Sequence, residues 1–188
     1  MRSLPRYSTL VANYPKSIDK PTKVLLDEIG GEVRAQLSDS VHACAIRMSV
    51  ALNKSGRPIQ PRGGVYLLKG KTPLDPSNSR LKLPPSLYVI RAKDMKTYLD
   101  HEFGAGRLVY DGSMQTEPTF PSRQQQGIIC FDWRGPWAEF QAGGHVDLLR
   151  LVADTSGTVM RFLPNCEGHC YFLPTLGPMR AYFWETDP

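Results

Sequence analysis

Long apolar runs are missing from this 188-residue chain; none approaches the roughly 20 consecutive apolar positions of a membrane-spanning helix. The opening Met1-Arg2-Ser3-Leu4-Pro5-Arg6 lacks the apolar core of a signal peptide, so classical secretion is not expected and any export uses another route. A strong charge of one sign is missing too, since basic residues exceed acidic ones only by 23 to 18. The basic residues of the middle section, Arg57, Arg62, Lys69, Lys71, Arg80 and Lys82, are scattered and have no aromatic series between them. That pattern argues against a nucleic-acid partner. Cysteine is scarce, with four residues in all, and no internal repeat or low-complexity tract is present. Neither a dense disulfide framework nor a four-ligand zinc centre is expected, and no cofactor is implied.

What is there has the balance of an ordinary soluble protein, 41% hydrophobic and 22% charged. A chain of this length buries roughly 70% of its unfolded surface, enough for one core without a metal. One domain is expected over residues 1–188. Val24, Leu25, Ile29, Val33 and Leu37 follow helical spacing, broken at Gly30-Gly31. A second helix starts at Ala43, carries Ala45, Ile46, Met48, Val50, Ala51 and Leu52, and stops at Asn53-Lys54-Ser55-Gly56. Its near-continuous apolar character makes it central.

Residues 57–86, rich in Pro, Gly, Ser and Lys, read as an irregular insertion over one face in which only Val65-Tyr66-Leu67-Leu68 is strand-like. Leu87-Tyr88-Val89-Ile90 predicts a short strand. Residues 93–103 predict a helix with Met95, Tyr98, Leu99 and Phe103 on one side, and 111–126 a polar loop. Strands are expected at 127–133, 145–153, 158–163 and 179–185, with turns at Gly135-Pro136 and between Asp154 and Gly157. Helices followed by antiparallel strands make an α+β fold.

Within this layout Cys44 carries the chemistry. It lies where the central helix begins, in His42-Ala43-Cys44-Ala45-Ile46-Arg47-Met48-Ser49. A thiol at a helix N-terminus is pre-activated, because the helix dipole and the unpaired N–H groups favour the thiolate. About a hundred residues later, Gly143-Gly144-His145-Val146-Asp147-Leu148 reads as a strand carrying a histidine. A histidine on a neighbouring strand completes an ion pair with the thiol and later protonates a leaving group. Cys130, in the strand-like Gly127-Ile128-Ile129-Cys130-Phe131, reads as a small core residue. His101 reads as a solvated residue near a helix end.

These residues resemble the type VI secretion amidase effectors of the fourth family, in the NlpC/P60-like branch of papain-fold peptidases. The resemblance takes in Ile29-Gly30-Gly31-Glu32-Val33, the segment around Cys44, Leu52-Asn53 and Ser55-Gly56-Arg57-Pro58-Ile59. It continues through Tyr88-Val89-Ile90-Arg91-Ala92-Lys93-Asp94-Met95, Tyr98-Leu99, Gly127-Ile128-Ile129 and Gly144-His145-Val146-Asp147-Leu148. It implies a papain-like NlpC/P60-type fold, with N-terminal helices packed on a C-terminal antiparallel sheet. It also implies cleavage of the peptidoglycan peptide stem between the γ-carboxyl of D-glutamate and meso-diaminopimelate, by a Cys44 nucleophile with His145 as base and acid. A periplasmic immunity protein as partner, export by the type VI secretion machinery and action in the periplasm of a recipient bacterium follow from the same resemblance. The competing readings are a catalytically inactive binder on this fold, or a deamidase or acyltransferase.

A third residue must orient the imidazole. The family has an aspartate in a loop bracketed by two cysteines; here the loop Cys166-Glu167-Gly168-His169-Cys170 has none, and it lies further from His145. Cys166 and Cys170 read as a local disulfide, with free thiols or a zinc site shared with His169 as the alternatives. If the turn at Asp154 to Gly157 pairs residue 154 with 158, counting outward sets His145 opposite Glu167. A turn one residue shorter sets it opposite Cys166, with Glu167 and Asn165 beside it. Asp147 shares the strand face of His145, although same-strand neighbours are usually too far apart to bond. Glu167 is preferred to Asp147, and Asp147 to Asn165. For substrate binding the candidates are Arg47, one turn after Cys44; Trp137, in the aromatic stretch before the histidine strand; and His42, beside the nucleophile.

Overall fold

Tyr7, Leu10 and Tyr14 fall at i, i+3 and i+7 and form the buried face of the first helix, α1 (Tyr7–Asn13), with Tyr14 as its C-cap. Nothing in aliphatic spacing announces this helix, because tyrosines make most of its stripe. The computed structural model describes residues 2–75, 78–112, 125–133, 144–154, 157–163 and 179–187. After α1 come α2 (Thr22–Ile29) and α3 (Gly31–Gln36), divided where the glycine pair predicts a break. Gly30 turns the chain there at φ 61°, a conformation costly for residues with a Cβ. At Gly31 a Cβ would lie 2.4 Å from the Gly70 carbonyl, so that close approach also demands glycine.

The central helix α4 (Cys44–Lys54) buries every residue from Cys44 to Leu52, matching its apolar sequence. Two polar residues one turn apart fix it to its neighbours. The Ser49 hydroxyl donates to the Ala45 carbonyl at 2.9 Å and accepts the Val89 N–H at 2.9 Å. Asn53 donates to the Leu87 carbonyl at 3.0 Å and accepts the Ile59 N–H at 2.7 Å. Both anchor β4 (Leu87–Val89), which pairs antiparallel with β1 (Leu67–Lys69). Between them, β2 (Leu74–Asp75) and β3 (Asn78–Lys82) form a second ribbon. The 57–86 insertion is therefore less irregular than its composition suggests, because backbone pairing supplies order that side-chain spacing does not encode. Helix α5 (Ala92–Phe103) follows, with Met95, Tyr98 and Leu99 buried as expected.

The remaining strands form one antiparallel sheet in the order β5-β9-β6-β7-β8. They are β5 (Arg107–Asp111), β6 (Gln126–Trp133), β7 (Gly144–Asp154), β8 (Gly157–Leu163) and β9 (Met179–Glu185). Four of these answer the predicted strands; β5 was not expected. Ile128, Cys130, Val146 and Leu148 pack with residues of α1, α4 and α5. Ile129, Phe131, Leu149 and Leu151 pack with Val109 and Phe183 in a separate cluster. One expectation is corrected: Asp154 pairs with Gly157, and Thr158 with Ala153. The turn is shorter than the one that set residue 167 opposite His145, and every pair along the hairpin shifts with it.

Candidate active site

Helix α4 begins at Cys44 itself. Its N-cap, Ala43, supplies no side-chain hydrogen bond, so the helix-terminal N–H groups keep their donor capacity. Cys44 is 9% exposed. The backbone N–H groups of Ala45, in its own helix, and of Val146, in β7, favour its charged form. Burial alone pushes the thiol pKa up. The interaction with His145 and the two N–H donors outweigh burial, and the thiol lies below its ordinary value.

His145, near the start of β7, supplies the matching half. Burial alone would lower its pKa, but its interactions with Asp147 and Cys44 raise it to about 10. Each group thus favours the charged form of the other, Cys44 shifting down and His145 up. The imidazole stacks on Phe131, its cross-strand partner, with ring centroids 6.2 Å apart. Its Nε2 lies 3.6 Å from Asp147 Oδ2.

Asp147 is fully buried, at 0% exposure. Its Oδ1 accepts the Leu148 N–H at 2.8 Å. Tyr14, the residue that caps α1, also favours the charged form of this carboxylate. Burial raises the Asp147 pKa, against the lowering effects of His145, the Leu148 N–H and Tyr14. Burial likewise holds the Tyr14 pKa well above its ordinary value, with the charges of Asp147 and Cys44 adding to the effect. The phenol stays protonated.

Arg47 is 3% exposed and donates from Nη1 to the Pro15 carbonyl at 2.6 Å. It lies in the field of Tyr14, Cys44 and Asp147 rather than in an open cleft. Cys44, His145, Asp147 and Arg47 thus bring ionisable groups of both signs together in one buried neighbourhood. Opposite signs set side by side are what lets ionisable groups sit inside a protein.

Of the other residues singled out in the sequence, His42 is exposed immediately before α4, and His101 is exposed in the last turn of α5. Cys130 is a buried free thiol whose pKa burial pushes well above its ordinary value, as suits a core residue. Glu167, Asn165, Trp137, Cys166, Cys170 and His169 lie outside the described residues. Among the described residues no cluster of His, Cys, Asp and Glu is arranged to hold a metal. Tyr14 is the participant that sequence reasoning missed. Its signal was the seven-residue spacing from Tyr7, legible only once α1 is recognised as a helix.

A family model described as type VI secretion system (T6SS), amidase effector protein 4, matches residues 41–170. The chain is similar to the effector Tae4 from Salmonella typhimurium, crystallised with the immunity protein Tai4 from Enterobacter cloacae. Identity is 24%, 97% of this chain and 99% of that chain are covered, and the TM-score is 0.64. A chain of the Tae4–Tai4 complex from Enterobacter cloacae is 22% identical, with 100% of each chain covered and a TM-score of 0.62. The effector Tae4 from Enterobacter cloacae on its own is 23% identical, with 100% of this chain and 98% of that one covered and a TM-score of 0.59. The comparison with curated proteins gives no match.

Proposed function

The chain belongs to the family of type VI secretion amidase effector protein 4 and has its papain-like NlpC/P60-type fold, and on that premise we propose that it hydrolyses the peptide stem of bacterial peptidoglycan with Cys44 as nucleophile. The bond is the amide between the γ-carboxyl of D-glutamate and the amine of meso-diaminopimelate. What carries the reading is the buried placement of Cys44, the first residue of α4, with His145, the second residue of β7, each shifting the other toward its charged form.

The Cys44 thiolate attacks the γ-carbonyl, forming a C–S bond and a tetrahedral oxyanion. The Cys44 N–H, at the start of α4, is the natural donor to that oxygen. His145 gives its proton to the departing diaminopimelate amine as the C–N bond breaks, leaving a thioester and neutral imidazole. Imidazole then takes a proton from water, whose oxygen attacks the thioester, and the thiolate and imidazolium are restored. Asp147 faces the other imidazole nitrogen and stabilises the imidazolium in both steps.

The protein travels by type VI secretion and acts in the recipient periplasm, and the producing cell protects itself with an immunity protein. The Tae4 relatives crystallised as complexes with Tai4 support that partner. Mass spectrometry of diaminopimelate-type muropeptides tests the reaction. Fragments with a newly free diaminopimelate amine are expected from the wild type and not from Cys44→Ala. Intact muropeptides after incubation with folded wild type would favour the inactive-binder reading.

A further inference from the structure

We propose that the cleft between α5 and strands β6 and β9 is the leaving-group subsite, where Lys93 and Lys96 take the free carboxylate at the far end of diaminopimelate. This deepens the reading above and rests on His145 protonating the departing amine.

The cleft holds about 330 Å³, at the low end for ligand pockets and suited to one residue rather than a whole stem. Two of its lining residues tie it to the reacting groups. Phe131 lines the cleft and stacks on the His145 ring. Ala92, the first residue of α5, lines it and joins the core cluster that contains Cys44 and Val146. Gly144, immediately before His145, packs against both. A Cβ there would lie 2.5 Å from the Phe131 carbonyl oxygen and 3.4 Å from the Ala92 Cβ. The cleft therefore adjoins the residue that hands its proton to the leaving amine, and the fragment that departs with that amine lies on His145's side of the broken bond.

The charges of the lining match that fragment. One end of diaminopimelate carries the nitrogen of the cleaved amide, and the other carries a carboxylate and a second amine. Lys96 Nζ stands 2.7 Å from Asp100 Oδ2 and 4.1 Å from the centroid of the Tyr182 ring. An ammonium can donate more than once, so pairing with Asp100 leaves donor capacity, and the two contacts hold the charge in place beforehand. Lys93, one turn earlier on α5, is exposed and makes no ion pair among the described residues. Asp132 adds a carboxylate to the lining, so the cleft presents both signs to a zwitterionic end group. A lysine in the diaminopimelate position keeps the far amine, lacks the far carboxylate and forfeits the contact with both lysines.

Arg107 provides an internal comparison. It lines a separate cleft at the chain termini, which shares no lining residue with this one. Arg107→Met removes the same charge from a different place.

The experiment measures kcat/KM on three muropeptides that differ only in the third stem residue: diaminopimelate, diaminopimelate with its far carboxyl amidated, and lysine. Wild type, Lys93→Met, Lys96→Met and Arg107→Met are compared, and ratios taken within one protein cancel any loss of folded enzyme. Wild type is expected to prefer the free carboxylate about tenfold, the size of a hydrogen bond to a charged group. Each lysine variant cuts that preference severalfold, Arg107→Met keeps it, and added salt weakens it. The proposal is overturned if wild type shows no preference, if both lysine variants keep it, or if Arg107→Met cuts it equally. Wild type that cleaves none of the three counts against the hydrolase reading instead. Binding then decides on the cleft, by titrating the protein with meso-diaminopimelyl-D-alanine or lysyl-D-alanine and following the backbone amide resonances of residues 92–97. Shifts with the first alone support the subsite; shifts with both or with neither overturn it.

Discussion

His145 Nε2 lies 3.6 Å from Asp147 Oδ2 although the two residues share one strand with only Val146 between them. Residues i and i+2 of a strand sit roughly 6–7 Å apart on the same face, a gap that an imidazole and a carboxylate leaning toward each other nearly close. Both side chains leave the same strand, so β7 sets the spacing of their backbones. At 3.6 Å the contact is longer than a hydrogen bond, and such contacts tighten when substrate closes the site.

If Asp147 orients His145, Asp147→Asn reduces kcat by about a hundredfold while KM changes little, and Glu167→Gln stays near wild type. Kinetics of the two variants on one muropeptide separate the candidates. Loss of activity in Glu167→Gln alone would give that role to Glu167.

The pH profile follows from the two opposed shifts. Activity rises as Cys44 ionises, below the ordinary thiol value of about 8.5. It falls as His145 loses its proton near pH 10. A broad plateau across neutral pH is the expected kcat/KM profile. Stability has a matching signature. The folded pKa of His145 lies above its unfolded value, so its contribution is complete below about pH 6.5 and is lost as pH climbs toward 10. The contribution of Cys44 has the opposite sense and is lost as pH falls through its lowered value. Urea titrations at several pH values in wild type and His145→Ala check the histidine part.

Arg47→Met removes a buried cation and its bond to Pro15 and leaves the two site anions facing only His145. A loss of about 3 kcal/mol of stability is expected, read as a lower urea midpoint. A substrate-binding arginine would instead raise KM with the midpoint unchanged.

Gly31→Ala places a methyl 2.4 Å from the Gly70 carbonyl at a residue with φ 60°. It costs about 2 kcal/mol or more and lowers the melting temperature without moving the pH limbs, since α3 lies away from the ion pair.

Much of this was legible in the sequence. Apolar spacing marked α2 to α5, Gly30-Gly31 marked the break between α2 and α3, and alternation marked β6 to β9. Cys44 and His145 stood out because a thiol at a helix start and a histidine on a strand are chemically legible in themselves. Three features were not. Helix α1 buries tyrosines, which carry no aliphatic period. The β7–β8 register depends on one residue of turn length, which the sequence between Asp154 and Gly157 does not specify. Arg47 reads as a substrate contact or a structural salt-bridge partner until its neighbours Pro15 and Tyr14 are placed in space, because only tertiary packing buries a charge.

The measurement that tests the account most directly is the rate of Cys44 alkylation by iodoacetamide as a function of pH, in wild type and in His145→Ala. Cys130 is buried in the core and serves as the unreactive reference thiol. Wild-type Cys44 is expected to titrate clearly below about 8.5, and His145→Ala to move it up to that range or beyond. Wild-type Cys44 titrating as an ordinary thiol, unmoved by loss of His145, would contradict the ion pair on which the proposed hydrolysis depends.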